Sequence, residues 1–150
     1  MQDKRVLIVD DEADIRRMLS VVLRQQFLHV DEAEDGQAAL DLVRANSYAV
    51  ILLDLMMPRV GGLEVLNRLS EISHAAGSVV LVITGADPSM IARLDTRLIH
   101  GVIRKPFDVN EVASVVRGCA EIRSNRSLDA MAMASMLAGP LLAMFGNRLS

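Results

Sequence analysis

The sequence predicts an α/β fold: a doubly wound sheet of five parallel strands with helices on both faces, followed by a C-terminal helical extension. Three observations predict it. Short apolar runs rich in β-branched residues recur as Val6-Leu-Ile-Val9, Ala49-Val-Ile-Leu-Leu53 and Ser78-Val-Val-Leu-Val-Ile83, and a nearly continuous apolar run suits a strand buried on both faces. Stripes at helical spacing lie between the runs in strict alternation, the pattern of parallel strands joined by crossover helices. Each run also closes on a polar residue, with Asp10, Asp54 and Thr84 at the ends of the first, third and fourth strands and Lys105 after the fifth.

The elements are justified in chain order. Val6–Val9 is the first strand. Asp11 or Glu12 then opens a helix whose inward stripe is Ile15, Met18, Leu19, Val22 and Leu23, since acidic side chains suit the positive end of a helix dipole. A second strand occupies about 28–33, and Asp35-Gly36 turns into a helix over about 37–45. After the strand at 49–53, Pro58 and Gly61-Gly62 lead into a helix expected to turn Leu63, Leu66, Leu69 and Ile72 inward. The strand at 78–83 ends on Thr84-Gly85, a fourth helix starts near Pro88, and a fifth strand spans Ile99–Arg104. The last helix of this unit carries Val112, Val115, Val116, Cys119 and Ile122 on one face. Right-handed crossovers leave few topologies. The flavodoxin-like strand order 2-1-3-4-5 is the usual one for five strands and puts ligands beyond the carboxyl ends, near the switch point between strands 1 and 3.

A chain of 150 residues suits one domain with an appendage, and 51% hydrophobic with 23% charged residues excludes a wholly disordered chain. A net charge of −3 argues against a general phosphate-backbone binder, and 3% aromatics without Trp against a base-stacking platform. The single cysteine, Cys119, leaves no internal disulfide or multi-cysteine zinc site and fits a reducing compartment. The apolar run at Val6–Val9 is too short for a signal-peptide core, so a cytoplasmic location is expected.

In this topology Asp10, Asp11 and Asp54 converge at neighbouring strand ends. Carboxylates in one crevice repel, and more strongly where water is excluded, so a cation is expected. Mg2+ fits, because it uses one or two carboxylates together with water and phosphate oxygens. Lys105 adds a fixed positive charge and Thr84 a hydroxyl donor. A carboxylate flanked by a metal, an ammonium and a hydroxyl has the parts for phosphoryl transfer, with Asp54 as nucleophile. Taken singly these residues read otherwise: Asp10-Asp11 as a helix N-cap, Asp54 as a turn acid, Thr84 and Lys105 as solvated surface. Their joint placement favours the site.

With these residues in place the sequence resembles a known family, the receiver domains of two-component response regulators. The matching pieces are Val9-Asp10-Asp11-Glu12, Asp54-Leu-Met-Met-Pro58 with Gly62, Ile83-Thr84-Gly85 and Lys105-Pro106-Phe107, within about residues 4–122. The resemblance implies that Asp54 accepts a phosphoryl group from a phosphohistidine on a sensor histidine kinase or histidine phosphotransfer protein. It implies Mg2+ ligation by Asp11, Asp54 and the backbone carbonyl of Met56, with Asp10 acting mainly through water. Thr84 and Lys105 would contact the phosphoryl oxygens, and Pro106 would follow a cis peptide bond. Output would pass through protein contacts, including a possible homodimer through the face formed by helix 4, strand 5 and helix 5.

Three departures from the family pattern stand out. Val102 occupies the place of an aromatic residue that usually precedes the lysine on strand 5, and nearby His100 reads as a surface histidine. Met56 and Ala86, two positions after Asp54 and Thr84, have no group to orient an attacking water, which predicts slow loss of the phosphoryl group. Beyond Ile122, residues 123–150 form an extension in which 130–145 carries no charge and four of the nine Met residues. Broken by Gly139-Pro140, this stretch is short for a membrane span and too neutral for DNA. It is expected to be a Met-rich helix that packs on its own receiver, on a second copy or on a partner. Residues 1–122 then form the receiver domain.

Rival functions are a flavin-binding electron carrier, a Mg2+-dependent phosphatase and a phosphorylation-independent receiver-like scaffold or dimerisation module. The first needs a phosphate-cradling loop where Asp10-Asp11-Glu12 stands. The second needs an acid close after Asp54, where Leu55 and Met56 stand.

Overall fold

The computed structural model describes residues 4–85 and 87–124. Its elements alternate as the sequence predicts: β1 Arg5–Val9, α1 Ala13–Gln25, β2 His29–Ala33, α2 Gly36–Ala45, β3 Val50–Leu53, α3 Gly62–Leu69, β4 Val79–Thr84, α4 Pro88–Ala92, β5 Gly101–Arg104 and α5 Val109–Ser124. A single 3-10 turn, Ser73–Ala75, lies between α3 and β4. The sheet order is β2-β1-β3-β4-β5 and every pairing is parallel.

Alternation along the strands divides the core in two. Val6, Ile8, Val50, Leu52, Leu81, Ile83 and Ile103 face one side, where α1 and α5 cover them with Leu19, Leu23, Val112, Val116 and Cys119. Their neighbours Leu7, Val9, Ile51, Leu53, Val80, Val82 and Val102 face the other, under Leu40 and Val43 of α2 and Val65, Leu66 and Leu69 of α3. The period of two thus fills both faces, which is why the strands read as unbroken apolar runs.

Local chemistry sets the helix starts. The Asp35 carboxylate accepts the Ala38 N–H at the head of α2, and Asp87 accepts the Met90 N–H at the head of α4. Glu12 occupies the N-cap position of α1 without a side-chain bond to the helix, because its carboxylate is engaged elsewhere.

Two inward expectations are corrected. Met18 is 41% exposed and Leu63 is 36% exposed. Met18 lies on the flank of α1, one step outside the stripe made by Ile15, Leu19, Val22 and Leu23. Leu63 is the second residue of α3, whose buried line runs through Gly62, Val65, Leu66 and Leu69; Ile72 packs against the core only after the helix has ended. His100 lies at the surface as expected, with its Nδ1 accepting the Val80 N–H at 3.0 Å. Ala86 and the extension from residue 125 onward lie outside the described residues.

Candidate functional site at the carboxyl edge of the sheet

Ladder hydrogen bonds continue one residue past the strands and hold the site in place. Asp10 N donates to Ala33 O at 3.2 Å, Asp54 N to Val9 O at 2.9 Å, and Lys105 N to Thr84 O at 3.0 Å. Each functional residue is thereby fixed by the backbone of an adjacent strand.

The loop after Asp54 is held as tightly. Gly62 N donates to Leu55 O at 3.1 Å. A Cβ at Gly62 would stand 2.3 Å from Asp54 O and 2.4 Å from Leu55 Cα, so α3 can begin this close to the site only with glycine there. Gly36, at the start of α2, has the same relation to the far end of this loop: its Cβ would stand 2.3 Å from Val60 O.

Asp10 and Asp54 are each only 2% exposed. Their outer oxygens both meet the Lys105 ammonium, with Nζ 2.9 Å from Asp10 Oδ2 and 3.3 Å from Asp54 Oδ2. Their inner oxygens take backbone donors: Asp10 Oδ1 accepts Glu12 N–H at 2.8 Å, and Asp54 Oδ1 accepts Met56 N–H at 3.1 Å. Arg16 braces the arrangement from α1 by donating to Asp10 O at 2.7 Å. Asp11 is exposed, yet ligand oxygens of Asp10, Asp11, Glu12 and Asp54 lie within 4.8 Å of one another.

Thr84 is fully buried at the end of β4, in register with Arg104 and so beside the strand that delivers Lys105. The structure therefore brings Asp10, Asp11, Asp54 and Lys105 into direct proximity, with Thr84 on the neighbouring strand end. Met56 gives its N–H to Asp54 while its side chain stands in solvent. The Lys105–Pro106 peptide is cis.

Glu12 is the residue that sequence reasoning missed as part of the site: it enters there as a helix opener and within the Val9-Asp10-Asp11-Glu12 match, with no role of its own. Its Oε1 lies 3.0 Å from Lys105 Nζ. The excess of acids over the one lysine at this edge was the signal that could have found it.

The electrostatics follow from burial. Desolvation pushes the Asp54 carboxyl above its ordinary value, and the charge of Asp10 adds to this, while the Met56 N–H and Lys105 work the other way. Burial also works against the Lys105 ammonium, but hydrogen bonds to Asp10 and Glu12 and the charges of Asp54 and Asp10 outweigh it and hold the group above its ordinary value. Four carboxylates face one ammonium, so the site retains an excess of negative charge. Hard oxygen donors, partial exposure through Asp11 and Glu12, and uncompensated charge fit a divalent cation of the Mg2+ type.

Comparison with known proteins agrees with this geometry. Residues 6–117 match the response regulator receiver domain family. The transcriptional regulatory protein SrrA of Staphylococcus aureus is 35% identical over 122 residues, covering 81% of this chain and 49% of SrrA. The chain thus spans about half the length of the curated relatives it matches. Among solved structures, the response regulator TrrA of Thermotoga maritima, in complex with Mg2+-BeF, is 28% identical, with 77% of this chain and 98% of that one covered and a TM-score of 0.68. The chemotaxis protein CheY4 of Vibrio cholerae is 25% identical, with 79% and 99% covered and a TM-score of 0.72. The fold, the acidic pocket and the extent of the match together place this chain in the response regulator receiver domain family of two-component systems.

Proposed function

We propose that Asp54 is the phosphoacceptor and that Asp10, Asp11, Asp54 and the Met56 backbone carbonyl hold Mg2+ beside it. The observation that carries this reading is a buried carboxylate with the Lys105 ammonium 3.3 Å away, in a cluster of four acids. Receiver domains take their phosphoryl group in partnership with sensor histidine kinases. On this basis an Asp54 oxygen attacks phosphorus while the P–N bond of the donor phosphohistidine breaks and the imidazole leaves. The chemistry Mg2+ supplies when bound is neutralisation of charge on the transferring oxygens. Lys105, held between Asp10, Glu12 and Asp54, transfers part of its hydrogen bonding to a phosphoryl oxygen as the product forms. The Thr84 hydroxyl serves a second oxygen.

The chain modifies itself at Asp54 rather than turning over another substrate. It loses the group slowly, because the Met56 side chain has no polar atom able to orient water. Signalling then runs through protein contacts, in the cytoplasm and without nucleic acid. A net charge of −3 supports the last point. Within the described residues no helix is long and apolar enough to cross a membrane. Residues 1–122 are the receiver and 123–150 an extension that serves those contacts.

Incubation of the full chain with an acyl phosphate and Mg2+, followed by intact-mass measurement, tests the reading. The wild type gains one phosphoryl group that persists for minutes after the donor is removed, and Asp54→Asn gains none. A wild type that stays unmodified, or an Asp54→Asn chain that gains as much, overturns the assignment and leaves the scaffold reading. Loss of the group within seconds overturns the slow-release part alone.

A further inference from the structure

Val80 on β4 is 5% exposed, and a buried backbone N–H needs an acceptor. Val79 N donates to Ala49 O, just ahead of β3, at 2.9 Å, so the next N–H along the strand turns toward β5. The ladder does not reach it there. β5 begins only at Gly101, opposite Leu81, and the chain ahead of it turns, with Leu98 N on Asp95 O at 3.0 Å. The acceptor is instead a side chain: His100 Nδ1 takes the Val80 N–H at 3.0 Å. His100 also donates its own N–H to Val80 O at 2.8 Å. Both backbone groups of Val80 are thus held by one residue, and the imidazole stands where a ladder carbonyl would otherwise be.

An imidazole accepts at Nδ1 only while that nitrogen carries no proton, so the neutral ring here holds its proton on Nε2. The imidazolium has two donors and no acceptor. Protonation would set Nδ1–H against the Val80 N–H and leave that buried donor unpaired, a loss larger than that of an ordinary hydrogen bond. His100 reaches solvent, so a proton can arrive without the chain opening. Charged groups on the neighbouring elements are engaged elsewhere. Asp95 and Arg97, ahead of β5, pair with each other at 2.9 Å, Asp87 caps α4, and on α5 Arg117 pairs with Glu121 at 3.2 Å. β4 itself carries no ionisable side chain from Val79 to Thr84. Burial lowers the ring below its ordinary 6.5, and among the described residues no ionised group acts on it.

We propose that His100 is a pH-sensitive latch on β5: the neutral imidazole fastens the start of the strand to Val80, and protonation releases it. The strand so held is the one that ends on Lys105, five residues further on. The latch uses no residue of the acidic pocket, so it stands independently of the phosphoacceptor reading. Its contribution to stability is complete above 6.5, where the ring is neutral in both the folded and the unfolded chain. It is lost as the pH falls from 6.5 through the lower folded-state value, because the unfolded chain takes up the proton first.

The test compares the full chain with His100→Asn, whose Oδ1 can accept the Val80 N–H at every pH. His100 is exposed, so the change opens no core. In the wild type, NMR shows the Nε2–H tautomer at neutral pH, a ring that titrates below 6.5 and a Val80 amide signal that moves with the same midpoint. Exchange of the Val80 amide, divided by its intrinsic rate at each pH, is at least about ten-fold faster on the acid side of that midpoint than on the alkaline side. His100→Asn shows no such acceleration, and the wild type loses urea resistance relative to it as the pH falls below 6.5. A ring that titrates with no response at Val80, or the Nδ1–H tautomer at neutral pH, overturns the proposal from the wild type alone. Equal acceleration in His100→Asn overturns it as well.

Discussion

Asp54 occupies a position that disfavours its own ionised form, and that gives the residue a measurable pH signature. With metal chelated, burial raises its carboxyl above the ordinary 3.8 despite Lys105 and the Met56 N–H. Below 3.8 the group is protonated in both the folded and the unfolded chain and makes no difference to stability. As pH rises through 3.8 the unfolded chain releases its proton first, so stability falls until the folded-state value is passed, and the full penalty remains at neutral pH. Asp54→Asn removes that penalty while leaving Lys105 paired with Asp10 and Glu12. We expect Asp54→Asn to melt at a higher temperature than wild type at pH 7 in chelator, with a gain that shrinks as the pH is lowered through the raised folded-state value and is gone once the pH is below 3.8. A gain that is independent of pH, or a loss at pH 7, contradicts the desolvation account.

At the scale of elements, the loop between β3 and α3 is positioned by helix starts as much as by its own residues. Gly36 begins α2, and a Cβ there would lie 2.3 Å from Val60 O and 2.7 Å from Val60 Cγ1. Backbone cannot yield as a flexible side chain does, so Gly36→Ala pushes the loop away from α2. Overpacking of this kind costs about 1–3 kcal/mol. The urea midpoint should fall accordingly with an unchanged slope, and phosphorylation of Asp54 should slow, although Gly36 touches no site residue. An unfolding free energy within about 0.3 kcal/mol of wild type would show that the loop gives way freely.

The same elements show how far the sequence is legible. β1, β3 and β4 were evident because strands covered on both faces leave unbroken apolar runs, and each run delivered its polar terminal residue to the correct edge. Helix phase was less legible. Positions 66 and 69 belong to both the expected and the actual buried line of α3, so only the first turn, where Leu63 points outward and Val65 inward, separates them. Contacts between distant positions were not legible at all. Glu12 and Lys105 stand 93 positions apart, and the need for glycine at 36 arises from Val60. Such requirements belong to the folded arrangement and leave no periodic trace in the chain.

For the molecule as a whole, Cys119 offers a reporter of folding that no site residue disturbs. It lies on α5 within the core shared with α1, and burial pushes its thiol up to about 12. In the unfolded chain a cysteine titrates near about 8.5 and reacts readily, so alkylation at pH 8 measures the fraction of molecules open at any moment. A ligand that binds only the folded chain lowers that fraction by the factor 1 + [L]/Kd. Mg2+ at about one hundred times its dissociation constant should therefore slow alkylation of Cys119 roughly one hundred-fold, equivalent to about 2.7 kcal/mol. Replacement of Asp11 and Asp54 by Asn should abolish the slowing. Cys119 and the acidic pocket are on different elements, so the two are linked only if α5 opens together with the sheet edge. Alkylation that is indifferent to Mg2+ in the wild type would mean either that the pocket binds no ion or that α5 detaches by itself. The urea dependence of the rate separates these, because detachment of one helix exposes far less surface than unfolding of the whole chain.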